Sequence, residues 1–204
     1  MIDVVPFVPL RIASSAAASA DASGRTSPGL SDALAARGSF AAYAAFELEV
    51  PCFLYGPERS LPEVRRRAFV TEAPDLGPAT PHPTAGAVCA GAREVLVAYN
   101  LWLGVDDVEL ARDIARSIRS RQVRALGLDL GGKAQVSCNL IEPSKLGPAE
   151  AFDFVAARAP VAHAELVGLL PMIVLDSIPS ARWPELDLAE DRTIEARLAE
   201  TGAL

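Results

Sequence analysis

Cysteine and histidine are scarce in this chain. Among its 204 residues stand three cysteines, Cys52, Cys89 and Cys138, and two histidines, His82 and His163. The thiols lie far apart and form no CxxC pair, which excludes a disulfide framework and a zinc site and fits the reduced thiols of a cytoplasmic protein. With so few soft or imidazole ligands, no metal is expected. Positive charge is also short: 19 Lys and Arg stand against 26 Asp and Glu, a net charge of -7. Without a long basic run the chain is a poor binder of phosphate backbones, so no nucleic-acid partner is expected. No apolar stretch approaches the roughly eighteen residues a membrane-spanning helix needs, so no membrane role is expected either. The apolar opening Ile2 to Leu10, followed by small residues, imitates a secretory signal. Asp3, Pro6 and Pro9 interrupt it, however, and no basic region precedes it. What is abundant is apolar matter: 50% hydrophobic against 22% charged residues, enough for a core in one unit or two small ones.

Residues 2–10 read as a short Val- and Phe-rich strand ending near Pro9. Residues 12–29, almost all Ala, Ser and Gly, have little to bury and read as a flexible loop. Ser31 is the expected N-cap of a helix reaching Glu49, with Leu34, Phe40, Tyr43, Ala44 and Leu48 at roughly helical spacing. Cys52 to Tyr55 is a short strand closed by Gly56-Pro57. Four prolines and two glycines in residues 73–86 make the clearest break in composition, and the domain boundary is placed there. Beyond it the order becomes regular: a strand over 93–101, and a helix opened by Asp106 and Glu109 with Val108, Ala111, Ala115 and Ile118 on one face. Strands 123–130 and 134–141 follow, joined at Gly131-Gly132, then a helix over 148–158 and a strand over 161–168. Strand, helix, strand, strand, helix, strand is the ferredoxin-like βαββαβ unit. Residues 187–199 are expected to add one more amphipathic helix.

Few residues carry chemistry on their face. Gly127 to Lys133 nearly matches a phosphate-binding loop, but Ala134 stands where a magnesium-holding hydroxyl is needed, and a strand follows instead of a helix. A Gly-Gly hairpin explains it better. In strand 134–141, Gln135, Ser137 and Asn139 alternate with apolar residues, so they line either a cleft or an ordinary solvated sheet face. His163 sits among apolar neighbours and reads as structural, deep in the second half. His82, in the proline-rich loop, is the better functional candidate. Arg65-Arg66-Arg67 is most simply a solvated helix end.

Six segments then appear in a familiar order: IDVVPFVPL (2–10), VPCFLYGPERSLPEVRR (50–66), APDLGPATPHPTAGA (73–87), GAREVLVAYNLWL (91–103), AQVSCNLIEP (134–143) and AELVGLLP (164–171). Together they resemble the formiminotransferase family, over most of residues 2–175. The resemblance implies an α+β fold of two ferredoxin-like α/β-sandwich subdomains facing a tunnel. The first is incomplete here (1–72), residues 73–86 form the linker, and residues 87–204 form the second subdomain with a helical tail. It also implies transfer of a formimino group from N-formimino-L-glutamate to N5 of tetrahydrofolate, a co-substrate, in one-carbon metabolism and histidine degradation. In the family the folate lies against the loop matching Gly77, Pro78, Ala79, Thr80, Pro81, His82, Pro83, Thr84, Ala85 and Gly86.

The family's general base is a histidine in a His-Pro-Arg motif just before the strand that begins here at Ile2, so no catalytic residue is assigned within these 204 residues. The expectations that follow are a formiminotransferase with impaired turnover or, alternatively, a non-catalytic folate-binding or small-molecule-sensing module. An incomplete first sheet would leave an unpaired strand edge, so a homodimer is also expected.

Overall fold

The computed structural model describes residues 2–10 and 29–202. The Ala/Ser segment read as a flexible loop lies, apart from Gly29, outside the described residues. The chain divides into two compact units, through Glu94 and from Val95 onward. The class is α+β, with helices packed on two separate sheets.

In the first unit, strands β1 (Ile2–Phe7), β2 (Cys52–Tyr55) and β3 (Ala87–Ala92) form a sheet of order β1-β3-β2. Both pairings are parallel. The middle strand of a ferredoxin-like sheet runs antiparallel to its neighbours. Here β3 takes that middle place but is parallel, because helix α2 (Leu61–Arg67) and the 73–86 segment carry the chain back to the starting end of the sheet. All six residues of β3 are buried, as expected of a strand covered on both faces.

This corrects the domain boundary expected at 73–86. Those residues are internal to the first unit, and residues 87–92 are its central strand, not the start of the second half. Proline marked a loop here, and a loop between paired strands is not a linker.

Helix α1 (Leu30–Phe46) starts at Gly29, whose amide donates to Asp32 Oδ2 at 2.7 Å, so Ser31 lies inside the first turn and is not the cap. The helix docks through Ala33, Ala41, Ala44 and Ala45. The expected face was wrong at its bulky positions: Tyr43 and Leu48 are about half exposed, at 55% and 49%. Small side chains let the helix lie close to the sheet, and Tyr43 and Phe46 are turned outward, while Phe40 packs on the core. Helix α2 opens with Glu63 accepting from the Ser60 amide at 2.8 Å, and Arg65, Arg66 and Arg67 form its exposed last turn.

The second unit carries the expected βαββαβ order. Strands β4 (Val97–Leu103), β5 (Val123–Leu130), β6 (Lys133–Leu140) and β7 (Val161–Val167) join as β5-β6-β4-β7, all antiparallel. Helices α3 (Val108–Ile118) and α4 (Pro148–Ala156) cover one face. The first strand begins later than expected and alternates: Val97, Tyr99, Leu101 and Leu103 are buried, while Ala98, Asn100 and Trp102 are half-exposed. The cap of α3 is Asp107, accepting from the Leu110 amide at 2.9 Å, one residue after the expected Asp106. Asp106 pairs instead with Lys133 at 3.0 Å across the β5–β6 turn. There is no phosphate loop at 127–134: β5 and β6 pair without interruption around Gly131-Gly132. At Gly127 a methyl group would overlap the backbone of Ala111 and Arg112, so α3 presses directly on the sheet.

The tail is not one helix. Short helix α5 (Met172–Asp176), two 3-10 turns and α6 (Ile194–Glu200) bring Leu170, Leu175, Leu186 and Leu188 onto the core. Asp187 sits at φ 55, and its carboxylate accepts from the Leu166 amide at 2.9 Å. Arg192 donates to Asp187 at 2.7 Å and to the Leu166 carbonyl, so these two side chains occupy the free edge of β7 at that residue.

Candidate functional site

The loop Gly77 to Gly86 is held at both ends and in its middle. At its entry, the Cys52 amide donates to the Leu76 carbonyl at 3.0 Å and the Asp75 amide to the Cys52 carbonyl at 2.9 Å. Arg59 adds a clamp: Nε donates to the Leu54 carbonyl at 2.7 Å, Nη1 to Glu72 at 3.1 Å and Nη2 to Asp75. Asp75 in turn accepts from the Leu54 amide at 2.7 Å. Exposed ion pairs add little stability one at a time, but this half-buried set fixes where the loop leaves the sheet. Gly77 and Gly86 both take left-handed backbone, at φ 87 and φ 74, and Ala87 runs straight into β3.

The middle is built on His82. Its amide donates to the Gly86 carbonyl at 2.7 Å, and the Gly86 amide returns a bond to the His82 carbonyl at 2.9 Å. Inside this closed turn, His82 Nδ1 accepts from the amides of Ala85 at 3.1 Å and Thr84 at 3.3 Å. An Nδ1 that accepts leaves the proton on Nε2, so the lone pair that could take a proton is engaged within the loop. Pro81, Pro83, Thr84 and Ala85 are exposed. Ala79, Thr80 and Pro81 line an open depression of about 410 Å³ whose other wall is Phe69, Val70, Thr71, Glu72 and Ala73. Phe69 holds φ 59 there, with its ring edge-on to Phe53 at 5.0 Å. No sequence signal pointed to Phe69 or Val70 as walls of this depression. A left-handed phenylalanine leaves no mark in composition or spacing.

The second cluster lies on the face of the second sheet away from α3 and α4. Gln135, Ser137 and Asn139 are there, as their alternation indicated, but not as equals: Gln135 is buried to 2% exposure, Ser137 is half-buried and Asn139 is exposed. Strand register sets Trp102 beside Gln135, with His163 next to Trp102, and sets Asn100 beside Ser137, with Glu165 next to Asn100. His163 is therefore not deep in the unit. It is exposed and stacked on Trp102, ring centroids 5.5 Å apart and 16° from parallel. The cause is a bulge: Leu103 pairs with Val161 and Trp102 with His163, so Ala162 is an extra residue that shifts the strand's phase by one. Glu165 was missed for the same reason, whereas Asn100 and Trp102 were missed because their strand was expected over 93–101 and instead runs from Val97 to Leu103. Glu165 Oε2 accepts from Trp102 Nε1 at 3.0 Å and from Asn100 Nδ2 at 3.1 Å. These two bonds hold the carboxyl below its ordinary range.

The three thiols are free and buried. Burial pushes Cys52 up to about 11 and Cys138 up to about 12. They are core residues, not nucleophiles. Among the described residues no group of three or more His, Cys, Asp or Glu is placed to hold a metal ion, and no helix is long and apolar enough to cross a membrane.

Residues 1–93 match the model of the formiminotransferase domain, N-terminal subdomain, and the match ends one residue short of the boundary at Glu94. These matches support a likeness to the formiminotransferase family. It is 32% identical to a glutamate formimidoyltransferase of Streptococcus pyogenes serotype M1, over 61% of this chain and 51% of that protein. Against a glutamate formimidoyltransferase of Thermoplasma acidophilum it is 32% identical over 83% of this chain and 60% of that one. A formimidoyltransferase-cyclodeaminase of Sus scrofa is 31% identical over 85% of this chain and 35% of its own length. The chain thus spans between about a third and three fifths of the length of these relatives.

Proposed function

We propose that this chain binds a reduced folate against the Gly77–Gly86 loop and takes part in formimino transfer from N-formimino-L-glutamate to tetrahydrofolate. The observation that carries the reading is the loop itself. It is a closed, backbone-rich turn pinned at both ends, open on one side to a depression with mixed polar and apolar walls, where a flat ring can approach main chain closely. The names of the relatives support glutamate formimidoyl transfer, and the folate acceptor is what the resemblance of the sequence implies. N5 of the folate attacks the formimino carbon, the C=N electron pair moves to the imino nitrogen, and N5 gives up its proton. Collapse then breaks the bond to the glutamate nitrogen, which leaves with a proton. A group within about 3 Å must move that proton, and it typically contributes about 10²–10⁴-fold. His82 does not fill that role in this reading, because its Nδ1 is already an acceptor within the loop. Gln135, Ser137 and Asn139 serve as polar contacts on the second sheet. Buried, unpaired thiols agree with a reducing, cytoplasmic setting.

Calorimetry with 5-formyltetrahydrofolate, and a formimino-transfer assay on the same preparation, test the proposal. Binding with turnover supports the enzyme. Binding without turnover supports the second reading, a folate-binding or sensing module, which the self-contained build of the loop also favours. Absence of heat up to millimolar folate, from folded protein, would overturn both.

A further inference from the structure

Val70 is the most exposed large apolar side chain among the described residues, at 78%, and it packs in none of the three hydrophobic clusters. The turn that carries it is nevertheless fixed. The amides of Val70, Thr71 and Glu72 all donate to the Arg67 carbonyl, at 2.9, 2.9 and 3.1 Å, and the Phe69 amide donates to the Glu72 carbonyl at 2.9 Å. Phe69 holds φ 59, which bulky side chains rarely adopt, while its ring is packed edge-on against the buried Phe53. Such strain persists only where the surroundings over-determine it, and it gathers at ligand sites.

The facing wall is tied to the same turn. Glu72 accepts from Arg67 at 3.0 Å through Oε1 and from Arg59 at 3.1 Å through Oε2, and Arg59 also donates to Asp75, just ahead of Gly77. The depression of about 410 Å³ between residues 69–73 and 79–81 therefore has walls whose roots are clamped together, and all of it belongs to the first unit. Its lining decides what fits. Val70, Ala73, Ala79 and Pro81 give apolar surface, and the Thr71 and Thr80 hydroxyls make no hydrogen bond to another described residue. The one carboxylate in the lining, Glu72, is committed to two guanidinium groups, and His82 is not part of it. No side chain here is free to take the proton that N5 gives up, and such a group must stand within about 3 Å of that proton.

Resting on the folate-binding reading, we propose that this depression seats the p-aminobenzoyl arm of the folate and not its reacting pterin ring, with Val70 as the residue that sets this placement. The benzoyl ring lies against Val70 and Pro81, and the amide that follows it pairs with a Thr71 or Thr80 hydroxyl, each of which can donate and accept. A pterin edge presents several donors and acceptors in a fixed order, which two rotatable hydroxyls do not match, whereas an aryl amide needs a single donor and a single acceptor. An exposed valine on a rigid turn then has a use: the ring covers it, and little has to be ordered on binding.

The test combines calorimetry with 5-formyltetrahydrofolate and NMR on protein carrying isotope-labelled valine methyls, the Val70 signals being those that Val70→Ala removes. Expected are nuclear Overhauser contacts from the Val70 methyls to the benzoyl protons of the ligand. Affinity should fall about threefold in Val70→Ala and about tenfold or more in Val70→Asp, where a charge meets the ring. Because Val70 is exposed, both variants should fold as wild type does, which thermal melting and near-UV dichroism verify. Contacts from Val70 to the aliphatic protons of the reduced pterin, in place of the benzoyl protons, would overturn the proposal. So would folate binding without contacts to Val70, or with unchanged affinity in the folded variants; in all these cases the folate-binding reading stands. No heat up to millimolar folate, from folded wild type, would overturn both.

Discussion

Replacing His82 separates a loop-building histidine from a proton-transfer histidine, because two substitutions have opposite consequences under the two roles. His82→Asn keeps a short side-chain acceptor that can reach amides two and three residues on, as asparagine does in turns, but it cannot exchange a proton near neutral pH. His82→Ala removes the acceptor altogether. The structure sets the size of the effect. Two amide donors, Thr84 at 3.3 Å and Ala85 at 3.1 Å, lose their partner in the alanine variant. Both residues are exposed, so water takes up the donors, and the cost is the net worth of the bonds, about 0.5–1.5 kcal/mol each. The longer bond counts for least, so roughly 1–2 kcal/mol of preference for the closed loop is lost. The backbone pair between His82 and Gly86 remains. If the ligand takes only the closed loop, that loss appears as about a five- to thirtyfold weaker affinity. His82→Asn should retain affinity within about threefold of wild type. Calorimetry with 5-formyltetrahydrofolate gives the affinities, and the formimino-transfer assay gives turnover at saturating folate. Loss of turnover by a hundredfold or more in both variants, with folate affinity unchanged in both, would show that His82 moves protons and that the loop argument is wrong.

Gly127→Ala should cost about 3 kcal/mol, at the top of the usual overpacking range, because the methyl meets the backbone of α3 and no side chain can swing away; a urea-midpoint loss worth under 1 kcal/mol would contradict this. Gly38→Ala should stabilise by about 0.5–1 kcal/mol, since Gly38 lies exposed inside α1 with nothing within 4 Å of the new carbon. Native Cys52 and Cys138 should resist alkylation at pH 8 and react on unfolding. Because their folded values are raised to about 11 and about 12 from 9.0, stability is full below pH 9 and falls as pH rises through the folded values. A melting temperature constant from pH 8 to 11.5 would refute that. In hydrogen exchange, β4, paired on both sides, should be protected longer than β1, which pairs only with β3. Equal protection would argue that the free edge of β1 is covered, as in a homodimer, which sedimentation velocity would detect.

Much of the second unit was legible in the sequence because its signals are local. Alternation in Ala134 to Ile141, the Gly131-Gly132 turn and the helical spacing of Ala111, Ala115 and Ile118 each act over a few residues, and the structure places all of them within a residue or two. The tail was misread because Asp187 in a left-handed conformation and the Arg192 contacts to Asp187 and Leu166 interrupt what composition suggests is one helix. The first unit was harder for a different reason. Its strands are short and paired across long separations, and β3 (AVCAGA), buried on both faces, carries no alternation to set it apart from the loop before it. Proline density then drew the boundary to 73–86, although the prolines there serve a loop that joins two strands of one sheet.

The candidate site divides along the same line. The loop was found because glycine and proline mark it in the sequence and a family resemblance gave it a role; the structure adds that His82 is spent on closing it. The second cluster could be found only by half. Gln135, Ser137 and Asn139 follow strict alternation, whereas their row-mates on β7 follow it only after a one-residue slip at Ala162. Reading β7 in phase from Val161 puts His163 and Glu165 inward, where a carboxylate without a cation would be expensive. The sequence therefore held one clue that was not used: an apolar strand with a glutamate and a histidine two apart is costly in one phase and cheap in the other. Burial energetics favour the shifted phase, with Ala164 and Leu166 inward and the charged pair on the face that Asn100 and Trp102 already make polar. The bulge is thus the least costly way to place this strand, and the same slip puts Glu165 beside two donors that orient it.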